Sequence, residues 1–339
     1  MKTIFVGIAA YNEPDLEQTI QSCLDNAKFS DRVFFGVSSL NNDGNEPNLN
    51  RFKNLKHIQM NYETLFGTSI NRLTASLLNN KEDYYLQVDG HMLFEKDWDI
   101  RLIDHYEEIK ESYDKPIITN YVPWWSRAED GSINFYKNVN DLSCGKIIPM
   151  NNLLDESQSA CLMLSGVGQN WLELNYTEHY LISAHFIFSE MKFIEDIMPD
   201  PLLTMVGEET IPAIRAYTRG YRMFAIKPGI VWHKNKWHGV KYEFDRYFDI
   251  RNTGEVFEHF DRRQLWAAVR TMEISLGKIT GFWGATSIDA LKDYEIKSGI
   301  DYIRFYDNMR LFIADNPEDQ RLERSRNMFK IYDEKYGEK

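Results

Sequence analysis

Over the first ninety residues, apolar runs typical of strands are separated by segments in which apolar residues recur at helical spacing. Short apolar runs rich in β-branched and aromatic residues predict buried strands at 3–9, 32–37, 57–60 and 84–88. Apolar residues at helical spacing follow Pro14, which suits the first turn of a helix, and recur between residues 70 and 78. Strands that alternate with helices predict a mostly parallel sheet with helices on its faces.

The second half of the chain has shorter strand signals and ends in helices. Candidate strands lie at 117–121, 147–150, 160–164, 184–188, 222–226 and 229–232. From about residue 255 the apolar residues recur at helical spacing, and the last 25 residues are charge-rich, which predicts a solvated helix. We therefore expect an α/β body over residues 1–250 and a helical C-terminal extension over residues 251–339.

Composition narrows the class of protein. Hydrophobic residues make up 43% of the 339 residues, which excludes a disordered chain. The net charge of −12 argues against a uniformly basic nucleic-acid binder, although a local basic groove stays open. Three cysteines, Cys23, Cys144 and Cys161, have no CxxC spacing, and their odd number predicts thiols in a reducing compartment.

The sequence also predicts where the protein works. No apolar run reaches the roughly 18 residues of a membrane span, and the opening residues lack a signal-peptide cleavage pattern. We expect a soluble, cytoplasmic protein, and a virus-encoded protein acting in a host cytoplasm fits equally well.

The two commonest glycine loops that bind phosphates do not occur in the sequence. No G-x-G-x-x-G follows the first predicted strand, and G-x-x-x-x-G-K-[ST] is found nowhere. If the sheet binds a nucleotide, its phosphates must be held in another way.

The most informative segment is the strand at 84–88, which runs directly into Asp89, Gly90 and His91. Ligands of open α/β sheets bind beyond the carboxyl ends of the strands. Asp and His together suit Mn²⁺, whereas Mg²⁺ prefers more oxygen ligands, and such a cation can grip a diphosphate. Asp-Gly is also common in Asx turns, so the tripeptide alone leaves a structural interpretation open.

Two later segments add candidate polar groups. His233 ends an apolar run after Gly229, where it is either a structural histidine or a further metal ligand, and His238 lies close by. Glu208 and Glu209 open a predicted helix, where the helix macrodipole alone would favour acids. Their functional interpretation is a carboxylate that orients or deprotonates an acceptor hydroxyl.

Several segments, taken in order, resemble the GT-A glycosyltransferases. The resemblance is most specific to the GlcNAc-transferase family that includes the Skp1 hydroxyproline N-acetylglucosaminyltransferase. The segments that carry it are 4–14, 67–94, 207–209, 220–221, 231–233 and 287–301. The resemblance implies a GT-A-type nucleotide-sugar-binding fold, with the catalytic domain at 1–250 and the helical extension behind it.

The resemblance also implies roles for individual residues. Asp89 and His91 would be an Asp-x-His metal motif and His233 a third ligand, holding Mn²⁺ or Mg²⁺. Ala9, Tyr11, Glu13, Arg72 and Asp89 would line the nucleotide. Glu208 or Glu209 would face the sugar and the acceptor. Without the resemblance, Arg72 is an ordinary surface charge on a helix.

The implied activity is metal-dependent transfer of a hexosyl or pentosyl group from a UDP-sugar to a hydroxyl on a macromolecule. The acceptor is either a protein or a hydroxymethylated pyrimidine in DNA. A DNA acceptor would require basic residues gathered on one face, and the candidates are Lys234, Lys236, Lys241, Arg262 and Arg263. Trp124 and Trp125 are either core residues or a stacking surface for the acceptor, whose platform we expect within 121–143. The alternative is a non-catalytic sugar-nucleotide or carbohydrate-binding module, but the presence of all three ligand candidates favours an enzyme.

Overall fold

A computed structural model describes residues 2–41, 46–61, 67–136, 146–149, 166–169, 175–227, 229–234 and 254–337. The strands are β1 (Ile4–Tyr11), β2 (Val33–Asn41), β3 (Leu55–Asn61), β4 (Tyr84–Asp89), β5 (Met92–Phe94), β6 (Pro116–Thr119), β7 (Trp124–Arg127), β8 (Ile133–Tyr136), β9 (Lys146–Pro149), β10 (Gly166–Gln169), β11 (Tyr176–His179), β12 (Phe186–Glu190), β13 (Arg222–Ile226) and β14 (Val231–Lys234). The helices are α1 (Leu16–Asn26), α2 (Thr68–Ser76), α3 (Trp98–Lys110), α4 (Lys192–Asp196), α5 (Thr210–Thr218), α6 (Gly254–Ser275), α7 (Ile288–Ser298), α8 (Tyr302–Asp315) and α9 (Glu323–Tyr336). Within these ranges, no helix is long and apolar enough to cross a membrane.

The central sheet has eight strands in the order β11-β13-β6-β12-β4-β1-β2-β3. Six of the eight run in one direction, and only β11 and β12 are antiparallel to their neighbours. The expected mostly parallel sheet is therefore confirmed. The predicted strand at 160–164 lies outside the described residues.

Both faces of the sheet are covered. Along β1, Ile4, Val6 and Ile8 belong to one core cluster with residues of α1 and α3. Phe5 belongs to another cluster, with residues of α5 and of the C-terminal helices. Side chains of a strand alternate between its faces, so helices on both sides explain why β1 reads as a continuous apolar run.

A second, four-stranded sheet has the order β5-β14-β7-β8. β14 pairs antiparallel with β5, where His233 lies opposite Met92, and parallel with β7, where His233 lies opposite Trp124. The sequence predicted a strand over 229–232 with His233 at its end, and the ladder runs from Val231 through His233 to Lys234. The small sheet thus places His233 beside the residues that follow β4.

The C-terminal helices are more buried than the charge pattern predicts. In α9, Ser325, Met328, Phe329 and Tyr332 are buried, so the expected solvated helix is solvated on one face only. Met272 of α6 shares a core cluster with Phe5 of β1, so the extension packs on the α/β body. The division of the chain near residue 250 stays a prediction.

Candidate active site

The site begins at the carboxyl ends of β1 and β4, which lie side by side with Ala9 opposite Asp89. After Asp89 the chain turns through Gly90 and His91 into β5. The Thr19 hydroxyl of α1 donates a hydrogen bond to the Gly90 carbonyl at 2.8 Å and accepts one from the Met92 amide at 2.9 Å. Helix α1 therefore holds this turn through the Thr19 side chain.

Three candidate metal ligands converge beyond this edge of the sheet. The Nε2 atoms of His91 and His233 are 3.0 Å apart, and they lie 3.8 and 3.4 Å from Asp89 Oδ2. Neighbouring ligand atoms in an octahedron with bonds of about 2.1 Å are about 3 Å apart. Two imidazole nitrogens and a carboxylate oxygen at these separations fit a divalent cation such as Mn²⁺. His238 lies outside the described residues.

Arg72 is part of this cluster and not a surface charge. Its guanidinium lies 3.2 Å from Asp89 Oδ1 and 3.2 Å from Glu208 Oε2, and its side chain is only 9% exposed. Burial disfavours the charged form, but the two carboxylates outweigh burial and raise the pKa of Arg72. Burial likewise opposes ionisation of Asp89, yet Arg72 and His233 hold its pKa well below its usual range. Asp89 is therefore a carboxylate, the form that binds metals.

Glu208 and Glu209 immediately precede α5, as the sequence predicted. Glu208 pairs with Arg72, whereas Glu209 Oε1 accepts a hydrogen bond from the Ala184 amide at 2.9 Å. Burial raises the pKa of both acids, against the opposing charge of Arg72 at Glu208, and the pKa of Glu209 reaches about 7. Glu209 can therefore gain or lose a proton near neutral pH, as an acid or base catalyst must.

The remaining predicted residues lie around the end of β1. Ala9 and Tyr11 are among the last three residues of β1. Asn71 of α2 donates a hydrogen bond to the Ala10 carbonyl between them at 3.1 Å. Glu13 follows the strand, and its Oε2 lies 2.8 Å from His91 Nδ1. The structure thus brings all the predicted residues to the carboxyl edge of the central sheet. Glu13, which was expected to line the nucleotide, contacts the candidate metal ligand His91 there.

The sequence match decides the family. The model of the glycosyltransferase (GlcNAc) family matches residues 3–57 and 48–242, which together span most of the chain. The chain belongs to this glycosyltransferase (GlcNAc) family. Membership confirms the resemblance seen in the sequence, and the α/β architecture agrees with the GT-A-type fold that the resemblance implies.

Solved glycosyltransferase structures resemble this family member over most of its length. GalNAc-T7 with UDP, GalNAc and Mn²⁺ aligns over 93% of this chain and 58% of its own, at 12% identity and a TM-score of 0.48. S. aureus TarS 1–349 in complex with UDP-GlcNAc aligns over 87% of this chain and 80% of its own, at 15% identity and a TM-score of 0.42. This chain thus spans 58% of the length of GalNAc-T7. No curated protein matches the sequence.

Two aromatic residues of this glycosyltransferase reach the site. His185 was not predicted, whereas Tyr121 lies within the segment expected to form the acceptor platform. The centroid of the His185 ring lies 4.7 Å from that of the His233 ring, and the Tyr121 ring stacks on His185 with a centroid distance of 5.6 Å. Burial lowers the pKa of His185 well below its usual range, so its ring is neutral. His185 directly precedes β12, and the antiparallel direction of that strand brings its first residues to the carboxyl end of β4. Only knowledge of this pairing could have indicated His185.

Polar groups at the end of β2 were missed as well. Ser39 Oγ lies 2.7 Å from His57 Nε2 and accepts a hydrogen bond from Asn41 Nδ2 at 2.8 Å. Because β2 is parallel to β1, these groups lie on the same edge as Tyr11. The signal in the sequence was the polar end of an apolar strand.

One tryptophan candidate and one lysine candidate prove to be structural. Trp125 is completely buried, and its indole N–H donates to the His91 carbonyl at 3.1 Å, so it belongs to the core. Lys234 is buried in an ion pair with Asp15 and is therefore not part of an exposed basic face, which corrects its prediction as a DNA-facing residue. Arg262 is exposed, while Lys236 and Lys241 lie outside the described residues.

Proposed function

We propose that the protein is a metal-dependent transferase that moves a sugar from a UDP-sugar to a hydroxyl on a macromolecular acceptor. The observation that carries this proposal is the convergence of Asp89, His91 and His233 at the carboxyl edge of the sheet, beside buried Arg72. The family match supports the transferase class, and the UDP-sugar donor is the one that the sequence resemblance implies.

Asp89, His91 and His233 would hold the divalent cation. When bound, it supplies positive charge that neutralises the diphosphate leaving group, which is the largest stabilisation such a site provides. The cation would thus hold the diphosphate in place of the phosphate-binding glycine loops that the sequence lacks.

Arg72 is placed to assist at the diphosphate. Its Nε and Nη2 atoms are occupied by Glu208 and Asp89, but its buried Nη1 atom has no hydrogen-bond partner among the described residues. A buried donor without a partner is rare, and a charged one is costly, so a ligand acceptor is expected there. A phosphate oxygen of the donor fits this role.

Glu209 is the better candidate of the two acids for the acceptor. Glu208 is held by Arg72, whereas Glu209 has a pKa of about 7 and can accept a proton from an acceptor hydroxyl. Ala9 and Tyr11, at the end of β1, would line the nucleoside of the donor.

A protein hydroxyl is favoured over DNA as the acceptor. The net charge is −12, and Lys234, one of the few basic residues expected to face DNA, is buried against Asp15. DNA binding requires several exposed cations that neutralise phosphates.

The test is a screen of UDP-sugars for hydrolysis by the purified protein with Mn²⁺, followed by transfer assays with the best donor. We expect hydrolysis of one donor and transfer to protein hydroxyls. Transfer only to hydroxymethylated DNA would overturn the acceptor assignment. Tight UDP binding without turnover of any donor would instead support a non-catalytic sugar-nucleotide module.

A further inference from the structure

Glu13 and His91 form a contact that the nucleotide-binding role expected for Glu13 does not explain. Glu13 Oε2 lies 2.8 Å from His91 Nδ1, on the side of the imidazole ring away from Asp89 and His233. The other ring nitrogen, Nε2, faces the Nε2 atom of His233 at 3.0 Å. The His91 ring therefore bridges the carboxylate of Glu13 and the candidate metal cluster.

The chemistry of the two partners fixes the orientation of this hydrogen bond. An ionised carboxylate only accepts hydrogen bonds, so Nδ1 carries the proton and donates it to Glu13. A neutral imidazole with its proton on Nδ1 has its lone pair on Nε2, which is the atom that faces the cluster. Carboxylates that hold metal-ligating histidines in this way set both the tautomer and the ring orientation.

The carboxylate of Glu13 is itself held in place. Its Oε1 atom accepts a hydrogen bond from the Asp15 amide at 3.2 Å, just before α1 begins. Both oxygens are thus used inside the protein, which leaves the side chain poorly placed to serve the ribose of a nucleotide.

Gly90 makes room for this arrangement. A Cβ atom at Gly90 would lie 2.8 Å from Glu13 Cγ, which is closer than carbon atoms can approach. Glycine is therefore required in the Asp89-Gly90-His91 turn because the Glu13 side chain occupies the adjacent space on its way to His91.

The backbone of His91 is held as firmly as its ring. Its carbonyl accepts hydrogen bonds from the Lys234 amide and from the Trp125 indole, both at 3.1 Å. With the backbone fixed, the direction of the ring depends on Glu13, which is the partner of Nδ1 among the described residues.

We infer that Glu13 is a positioning residue of the metal centre, which holds His91 in the tautomer and orientation that bind the cation, and is not a contact of the nucleotide. This inference rests on the proposed function, since it requires that Asp89, His91 and His233 bind a divalent cation. It changes the role of Glu13 from donor recognition to metal affinity, which are measured separately.

The test measures Mn²⁺ affinity by titration calorimetry in the absence of nucleotide, and UDP affinity in metal-free buffer. For Glu13→Ala we expect Mn²⁺ binding about 10–100-fold weaker and UDP binding unchanged. Glu13→Gln keeps an acceptor oxygen and is expected to lose less. Glu17→Ala, which alters an exposed acid of α1, is the matched control and should bind Mn²⁺ as the wild type does.

A second variant changes the contact without removing the carboxylate. Gly90→Ala displaces the Glu13 side chain and should also weaken Mn²⁺ binding, and thermal unfolding of each variant verifies that it is folded. Wild-type Mn²⁺ affinity in Glu13→Ala together with weakened UDP binding would overturn the inference and leave the metal site intact. A wild-type protein that binds no Mn²⁺ would instead overturn the proposed metal site and the inference with it.

Discussion

His91 and His233 bring their Nε2 atoms to within 3.0 Å although 142 positions separate them in the sequence. The antiparallel pairing of β5 with β14 produces this proximity, because it sets His233 opposite Met92, the neighbour of His91. Two imidazole nitrogens at this distance repel one another unless a proton or a cation lies between them. With Asp89 Oδ2 3.4 Å from His233 Nε2, a divalent cation would satisfy all three groups at once.

Replacement of His233 by alanine tests the ligand that is most distant in sequence. We expect His233→Ala to weaken Mn²⁺ binding and to lower hydrolysis of the UDP-sugar at least about 100-fold, since a metal contributes several kcal/mol of charge stabilisation. Isothermal titration and a nucleotide-release assay measure the two effects. His259→Ala, at an exposed position of α6, is the control and should behave as the wild type does. Unchanged Mn²⁺ affinity in His233→Ala would make this residue structural.

Arg72 is expected to stabilise the folded protein as well as the donor. Arg72→Met leaves Asp89 and Glu208 without their buried cation, and loss of one partner from a buried ion network costs about 3–5 kcal/mol. Urea unfolding measures this difference in the free energy of unfolding. The comparison is Arg51→Met, because Arg51 forms an exposed pair with Glu17, worth less than about 1 kcal/mol. Equal effects of the two substitutions would contradict the charge network.

Glu209 makes stability depend on pH in a defined direction. Burial raises its pKa from 4.5 to about 7, so the folded state retains a proton that the unfolded state has already released. Stability contributed by the protonated form is therefore lost as the pH rises from about 4.5 to about 7. Glu209→Gln cannot ionise, so it should become more stable than the wild type across this range, by at most about 3 kcal/mol.

Chemical unfolding of the wild type and of Glu209→Gln at pH 5 and pH 8 measures this dependence. The exposed Glu129→Gln is the control, and its difference from the wild type should stay small at both pH values. If the difference in the free energy of unfolding between Glu209→Gln and the wild type narrows as the pH rises, burial does not raise the pKa of Glu209.

Gly207, which precedes Glu208 and Glu209, packs closely against the C-terminal helix α6. Its φ is +85°, and a Cβ atom there would overlap Thr271 Oγ1 of α6. Gly220 has the same φ, but a Cβ there meets no atom within 4 Å. Gly220→Ala should therefore cost only the backbone strain, about 1–2 kcal/mol, and Gly207→Ala a further 1–3 kcal/mol or so for the steric overlap. Thermal unfolding of the two variants measures the difference in stability. Equal losses of stability would mean that Thr271 of α6 does not restrict the space at Gly207.

The parts of the site that are local in sequence could be predicted. The strand that ends in Asp89 and the helix that follows Glu209 each have a pattern of apolar residues that is complete within one segment. The spacing of apolar residues within one strand or helix follows the period of that element, so it can be recognised without knowing which elements pack beside it.

The parts that depend on pairing between distant segments could not be predicted. His185 reaches the site because β12 runs antiparallel beside β4, and Lys234 is buried because Asp15 at the start of α1 meets it. The place of His233 beside His91 likewise requires β5 and β7 as neighbours of β14. These neighbours are set by the fold, and no apolar periodicity within β14 reveals them.

The central claim is that a cation held by Asp89, His91 and His233 is required for cleavage of the UDP-sugar. The most direct measurement is the rate of UDP release from the donor by protein stripped with chelator, before and after Mn²⁺ is added, for the wild type and for Asp89→Ala. We predict that stripped wild type is inactive, that Mn²⁺ restores it, and that Asp89→Ala remains folded but inactive in both conditions. Turnover by the stripped wild type at the full rate, or by Asp89→Ala with Mn²⁺, would contradict the account.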